Sequence, residues 1–227
     1  MTIPTAGALA FDVYGTLVDP IGIWRRLEQH LSHEVAVQVA GSWRRKQLEL
    51  TFRLSVMGRY EDFEWCTRKA LDHALAAAGQ ELDNSARDEL ISQYNDLDPF
   101  PDTVPGLERL RGQGYALAVF SNGAPHMLDA LLANTGLTEF FETCISVDEV
   151  GVYKPSPAVY RHAAQRLGLP IEQVRLVSAN PFDDIGAEAA GMRAAWVDRG
   201  NGLFEPDGTP PDVVVANLTE LADRLAE

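Results

Sequence analysis

The sequence predicts an α/β protein: a doubly wound parallel sheet with an inserted helical cap. Three observations predict it. After the break at Asp98-Pro99-Phe100-Pro101, short apolar runs alternate with segments of helical periodicity, as parallel strands joined by crossover helices do. Between about 20 and 97 there is helical periodicity and no convincing strand. Three strand-like runs end in polar residues: Asp12, Ser121-Asn122 and Ser178-Ala179-Asn180. In a parallel sheet such tips share the edge at which open α/β sheets bind ligands.

Residues 7–12 form the first strand, an apolar run closed by Asp12, and Gly15-Thr16 suit the tight turn after it. In the insertion Trp43, Gln47, Leu50 and Leu54 recur at three- and four-residue steps, as do Ala70, Leu71, Ala74, Leu75 and Ala78. Gly79 stops that second helix, and Asp83-Asn84 caps another that carries Leu90, Ile91 and Tyr94. Prolines 99 and 101 break the pattern. Pro105 opens a helix through Leu110, 115–120 is a strand, and 126–133 is a helix. A short strand at 143–146 precedes a helix at 157–167, closed by Gly168. Strand 174–177, a helix at 185–190 and strands at 194–197 and 213–215 complete the order. The expected division is a core domain of 1–19 and 98–227 and a cap domain of 20–97. The cap follows the first strand directly, which places it over the strand tips.

The chain has 227 residues, 46% hydrophobic and 23% charged, ordinary values for a globular enzyme. A formal net charge of -14 argues against nucleic acid and anionic membrane as partners. No basic-then-apolar leader and no long apolar run is present, so a cytoplasmic protein is expected. Cys66 and Cys144 have no CxxC spacing and are expected as reduced, partly buried thiols. The five histidines form no metal-ligand pattern beyond a weak His30/His33 pair, and no metal or cofactor is expected. Gly112-x-Gly114 precedes a strand instead of following one, so it is a turn.

The chemistry concentrates at the strand tips. Asp12 is a carboxylate placed to act as a nucleophile. Two residues on stands Tyr14, which cannot easily protonate a leaving group near neutral pH. Lys154, in Tyr153-Lys154-Pro155-Ser156-Pro157, can supply a cation to the same crevice.

Phe11-Asp12-Val13-Tyr14-Gly15-Thr16-Leu17, Ser121-Asn122-Gly123, Tyr153-Lys154-Pro155 and Ser178-Ala179-Asn180-Pro181-Phe182-Asp183 resemble the four motifs of the haloacid dehalogenase superfamily. Order and spacing match over about 8 to 200. Within it the chain is most similar to the (S)-2-haloacid dehalogenases of type II, because Trp43-Arg44-Arg45-Lys46-Gln47-Leu48-Glu49 resembles their cap-helix segment.

The resemblance implies a Rossmann-like core and metal-free hydrolysis of a short (S)-2-haloalkanoate in two steps. Asp12 displaces halide to form an ester, and water then releases an inverted 2-hydroxy acid. Halide leaves as an anion, so no acid is needed at position 14. Arg44 is implied near the halide, with Asn122 assisting; Ser121 and neighbouring N–H groups hold the substrate carboxylate. Lys154 orients Asp12, Thr16 hydrogen-bonds it, and Tyr160 supports the charge network. Asp183 activates water with Ser178 and Asn180, and Asp184 is expected at the surface or as a cap. Tyr14, Leu48, Phe63 and Phe182 line an apolar pocket. The implied partners are a halogenated carboxylate, a halide ion and a second copy of the chain.

Two departures matter. Position 182 is often tryptophan in these enzymes and is phenylalanine here. Position 179, where the phosphatase branch carries a magnesium-binding aspartate, is alanine. With Tyr14 this argues against a magnesium phosphatase. A related metal-free hydrolase acting on fluoroacetate or a cyclic imino acid is the alternative, with a phosphatase of the superfamily behind it.

Overall fold

The computed structural model describes residues 7–200 and 202–226; residues 1–6, 201 and 227 of the expected core domain lie outside them. Among the described residues six parallel strands form one sheet: β1 (Ala8–Phe11), β2 (Ala116–Ser121), β3 (Thr143–Ser146), β4 (Val174–Ser178), β5 (Arg193–Val197) and β6 (Val213–Val215). Their order is β3-β2-β1-β4-β5-β6. All four residues of β1 are buried, as a central strand covered on both faces requires. Phe11 pairs with Val119 of β2 on one side and Val177 of β4 on the other. The order reverses between β1 and β4, the switch point at which doubly wound sheets open a crevice.

Among the described residues the insertion after β1 holds four helices: α1 (Trp24–Leu27), α2 (His33–Val56), α3 (Phe63–Ala77) and α4 (Asn84–Gln93). The Asp62 carboxylate accepts from the N–H of Trp65 and starts α3; Asp83 accepts from Ala86 and starts α4. Gly79, at φ +65°, follows α3. The Trp43 indole donates to the Thr67 carbonyl and locks α2 onto α3. The two chain crossings between core and insertion run side by side, with Asp19 N–H donating to Asp98 and Phe100 N–H to Leu17.

The remaining helices are α5 (Thr103–Gly112), α6 (Pro125–Asn134), α7 (Pro157–Leu167), α8 (Pro181–Ala189) and α9 (Leu218–Arg224). Three differ from the sequence expectation. The helix expected from Pro105 begins at Thr103. The helix expected over 185–190 begins at Pro181, whose missing N–H is harmless in a first turn, so the acids at 183 and 184 lie inside it. The C-terminal α9 was not foreseen; the Asn217 side chain starts it by accepting from Glu220 N–H. Cys66 and Cys144 are free, and burial pushes their thiols up to about 11 and about 12. Among the described residues no helix is long and apolar enough to cross a membrane.

Candidate active site

Asp12 continues β1 by one residue: its N–H still donates to Val177 on β4, at 3.0 Å. The side chain therefore stands over the switch point, 6% exposed. Gly15 turns the chain at φ +95°, beside the Asn180 side chain. The turn brings the Thr16 hydroxyl to Asp12 Oδ2 at 3.0 Å, and Asn180 Nδ2 reaches the same oxygen at 2.8 Å. Thr16 in turn accepts the N–H of Ala179 at 2.9 Å. Among the described residues Asp12 Oδ1 meets only the Lys154 ammonium, at 3.4 Å.

Lys154 is held by its own backbone, whose N–H donates to Asn122 Oδ1 at 3.0 Å. Its ammonium is 1% exposed and spends its three donors on three acceptors. These are the Phe120 carbonyl (2.8 Å), Asp183 Oδ2 (2.8 Å) and Asp12 Oδ1. It also lies 4.1 Å from the centre of the Phe120 ring. Asp183 Oδ1 accepts from the Tyr160 hydroxyl at 2.7 Å. That hydroxyl fits because residue 186 is glycine: a Cβ there would lie 2.5 Å from it. Burial pushes the Tyr160 phenol well up, which keeps it a donor. Two buried carboxylates thus share one ammonium. Burial, reinforced by Asp12, raises the Asp183 carboxyl above its ordinary range despite Lys154.

Arg44 reaches down from α2, half-buried. One nitrogen donates to the Tyr14 carbonyl and the other to Gln47 Oε1, both at 2.9 Å. Gln47 is fully buried; Tyr94 also donates to its oxygen, and its own amide donates to Thr67. Ser121 is buried at the end of β2, with its hydroxyl accepting Gly123 N–H. Ser178 accepts the N–H of Asn180 at 3.1 Å.

Asp12, Asn122, Lys154 and Asn180 form the floor of a tight cavity of about 10 Å³, with Arg44 at its side. Tyr14, Leu48, Phe63 and Phe182 are its walls. That is far below the roughly 300 Å³ at which pockets for drug-sized ligands begin, so the occupant is small. The Tyr14 ring packs against Phe63 and Tyr94 at 5.1 and 5.5 Å, and its hydroxyl is buried without a partner.

The structure thus gathers Asp12, Thr16, Lys154, Tyr160, Asn180 and Asp183 into one network. Arg44 and Asn122 border it, with Ser121 adjacent. Ser178 and Asn180 stand on the Asp12 side: the Asn180 amide bonds Asp12 and Tyr14, not Asp183. Gln47 and the Phe120 carbonyl escaped sequence reasoning. Gln47 sits three residues from Arg44, the spacing that places two side chains on one helix face, and that was its only signal.

One expectation is overturned. Asp184 is neither surface nor cap; it is 0% exposed and neither carboxylate oxygen has a hydrogen-bond partner. Both acids of the first turn of α8 face inward, which an exposed-acid expectation misses. Burial first, then Asp183 and Asp12, raise its carboxyl well above the ordinary range. A carboxyl raised on folding binds protons that the unfolded chain has released, so stability falls as pH climbs above the ordinary carboxylate range. Asp184→Ala is therefore expected to raise the melting temperature, and by more at pH 8 than at pH 5. The gain at pH 8 is about 1–3 kcal/mol, the cost of an unsatisfied buried polar group. Thermal melts at both pH values test this; an equal or opposite change would refute it.

Fold and site together define a doubly wound α/β protein whose site is organised around a strand-tip carboxylate. A sequence profile of the haloacid dehalogenase-like hydrolases matches residues 6–191, and the chain belongs to that family. It is 36% identical over 215 residues to the (S)-2-haloacid dehalogenase of Pseudomonas sp. (strain YL), covering 95% of this chain and 92% of that one. A haloacetate dehalogenase of Moraxella sp. (strain B) is 33% identical over 219 residues, covering 96% and 97%. The L-2-haloacid dehalogenase of Xanthobacter autotrophicus, solved with chloropropionic acid covalently bound, superposes with a TM-score of 0.91. Its identity is 34%, over 97% of this chain and 98% of that one.

Proposed function

We propose that this chain hydrolyses short (S)-2-haloalkanoates to (R)-2-hydroxy acids through an ester on Asp12, with inversion. The observation that carries the reading is the state of the two Asp12 oxygens. Thr16 and Asn180 pin Oδ2, while Oδ1 has among the described residues the long contact to Lys154 alone, and Asp12 lines the cavity. Oδ1 is thus the attacking atom. The relatives' activities and the covalently bound chloropropionic acid support the same chemistry.

In the first step Asp12 Oδ1 bonds to the halogen-bearing carbon, and halide leaves with the electron pair of the broken bond. Arg44 supplies charged donors beside the departing anion, and Asn122, whose oxygen is committed to Lys154, offers its Nδ2. Ser121 and the N–H groups after β2 receive the substrate carboxylate. Tyr14, Leu48, Phe63 and Phe182 keep water away, which strengthens these charged contacts. In the second step water attacks the ester carbonyl and Asp183 accepts its proton. A carboxyl raised above the ordinary range is a better base for this than a free one. The tetrahedral intermediate collapses, the bond from the carbonyl carbon to the substrate oxygen breaks, and the 2-hydroxy acid leaves as that oxygen takes the proton. Lys154 and Tyr160 orient Asp183, and Ser178 positions Asn180. The segment 20–97 acts as a cap domain over the core of 1–19 and 98–227. The free thiols of Cys66 and Cys144 suit a reducing, cytoplasmic setting. A homodimer pairs through apolar cap surface, on which Val37 of α2 stands exposed.

Resolved (R)- and (S)-2-chloropropanoate test the reading. Only the (S) acid is expected to release chloride and yield (R)-lactate. In a single turnover in oxygen-18 water the lactate should be unlabelled and the label should enter Asp12. Full labelling of the first product would rule out the ester.

A further inference from the structure

Beside the reaction cavity lies a second, larger hollow. It is an open groove of about 440 Å³ along the seam between α2 and the core, formed by Phe52, Val56, Val152, Tyr153, Pro155 and Phe182 with two serines. Phe182 lines this groove with one side and the reaction cavity with the other. Its ring meets Phe52 edge to face at 5.0 Å and 78°, so two aromatic side chains, one from the insertion and one from α8, form the partition. The neighbouring wall is also shared: the Tyr153 ring packs on Phe63, which faces the reaction cavity.

The groove offers little to a polar ligand. Its lining is mostly apolar, with no charged side chain. The Ser55 hydroxyl is spent, donating to the Thr51 carbonyl and accepting Tyr153 N–H. The Tyr153 hydroxyl, on the far side of its ring, donates to the Glu61 carbonyl. What fits is a hydrocarbon chain, delivered from the cavity side past Phe182.

We propose that this groove is a subsite for the alkyl tail of longer 2-haloalkanoates, with Phe182 as the swinging partition that admits it. The proposal rests on the dehalogenase reading above and extends its substrate range. A tail laid in the groove leaves the carboxylate, halogen and reacting carbon over Asp12. Each methylene buried there raises kcat/KM roughly fourfold, the ratio that burial of one CH₂ supplies. The phenylalanine at 182 is the enabling residue, because it is a smaller ring than tryptophan and has no N–H that needs a partner.

The test is kcat/KM for racemic 2-bromopropanoate, 2-bromohexanoate and 2-bromooctanoate, by bromide release. It uses the wild-type chain and two variants that fill the groove away from the reaction cavity, Ser156→Trp and Val56→Trp. The wild type is expected to use the longer acids at least as well as bromopropanoate. Either filled variant should lose about tenfold or more on the longer acids, two or more methylenes' worth, while staying within about twofold on bromopropanoate. A melt on each variant identifies any that fails to fold, and the other then carries the comparison. Turnover of bromopropanoate with rejection of the longer acids would overturn the subsite alone. So would an unchanged chain-length profile in the filled variants. Absence of bromide from every acid would overturn the dehalogenase reading itself.

Discussion

Asp12→Ala is expected to lower halide release by about 10⁴-fold or more while leaving a folded chain, because the nucleophile of a covalent mechanism has no substitute. The nearest other carboxylate of the network, Asp183, is committed at both oxygens, to Lys154 and to Tyr160. It belongs to α8 and not to the end of β1. Asp12→Asn should fail as well: an amide oxygen is a poor nucleophile, and its nitrogen would be a second donor facing Lys154. Steady-state halide release, with a circular-dichroism melt as control, decides the matter. A well-folded Asp12→Ala enzyme with wild-type turnover would remove the ester mechanism.

Lys154→Met should be the most damaging single change to activity and stability together. The ammonium is the shared partner of two buried carboxylates. Removing one partner of a buried ion pair typically costs about 3–5 kcal/mol, since the remaining charge is left uncompensated. At this chain length that is a fall of very roughly 6–20 °C in Tm. Without the cation that lowers it, the Asp183 carboxyl is raised further in the folded state. The native variant then holds protons the unfolded chain has lost, so its stability declines as pH rises through and above the ordinary carboxylate range. The deficit against wild type should therefore be largest near neutrality and shrink toward pH 4–5. Turnover should drop about 10³-fold, as loss of a positioned charge at a reacting centre does. Urea melts across pH with parallel halide assays test both halves; a pH-independent deficit would contradict the shared-charge arrangement.

Much of the architecture was legible because parallel strands announce themselves as apolar runs. β3, α7 and β6 fall where periodicity and turn residues put them. The start of α8 was not legible, since Pro181-Phe182-Asp183-Asp184 has no amphipathic pattern when its acids turn inward. At the site, the residue types at the strand tips pointed to one crevice because a parallel sheet puts its C-terminal ends together. The rest depended on tertiary packing. The carbonyl of Phe120 carries no sequence signal at all. Burial of Asp184 contradicts its residue type, and only the structure exposes that.

The carbonyl of Tyr14, two residues beyond Asp12, accepts Arg44 from α2 and Asn180 from the core, and Asn180 also grips the nucleophile. Any retreat of α2 from the sheet strips one of these two donors from the loop that carries Asp12. A contact on α2 and the aim of Asp12 are thus linked through one carbonyl, and whatever strengthens Arg44's hold on it steadies the nucleophile's loop as well.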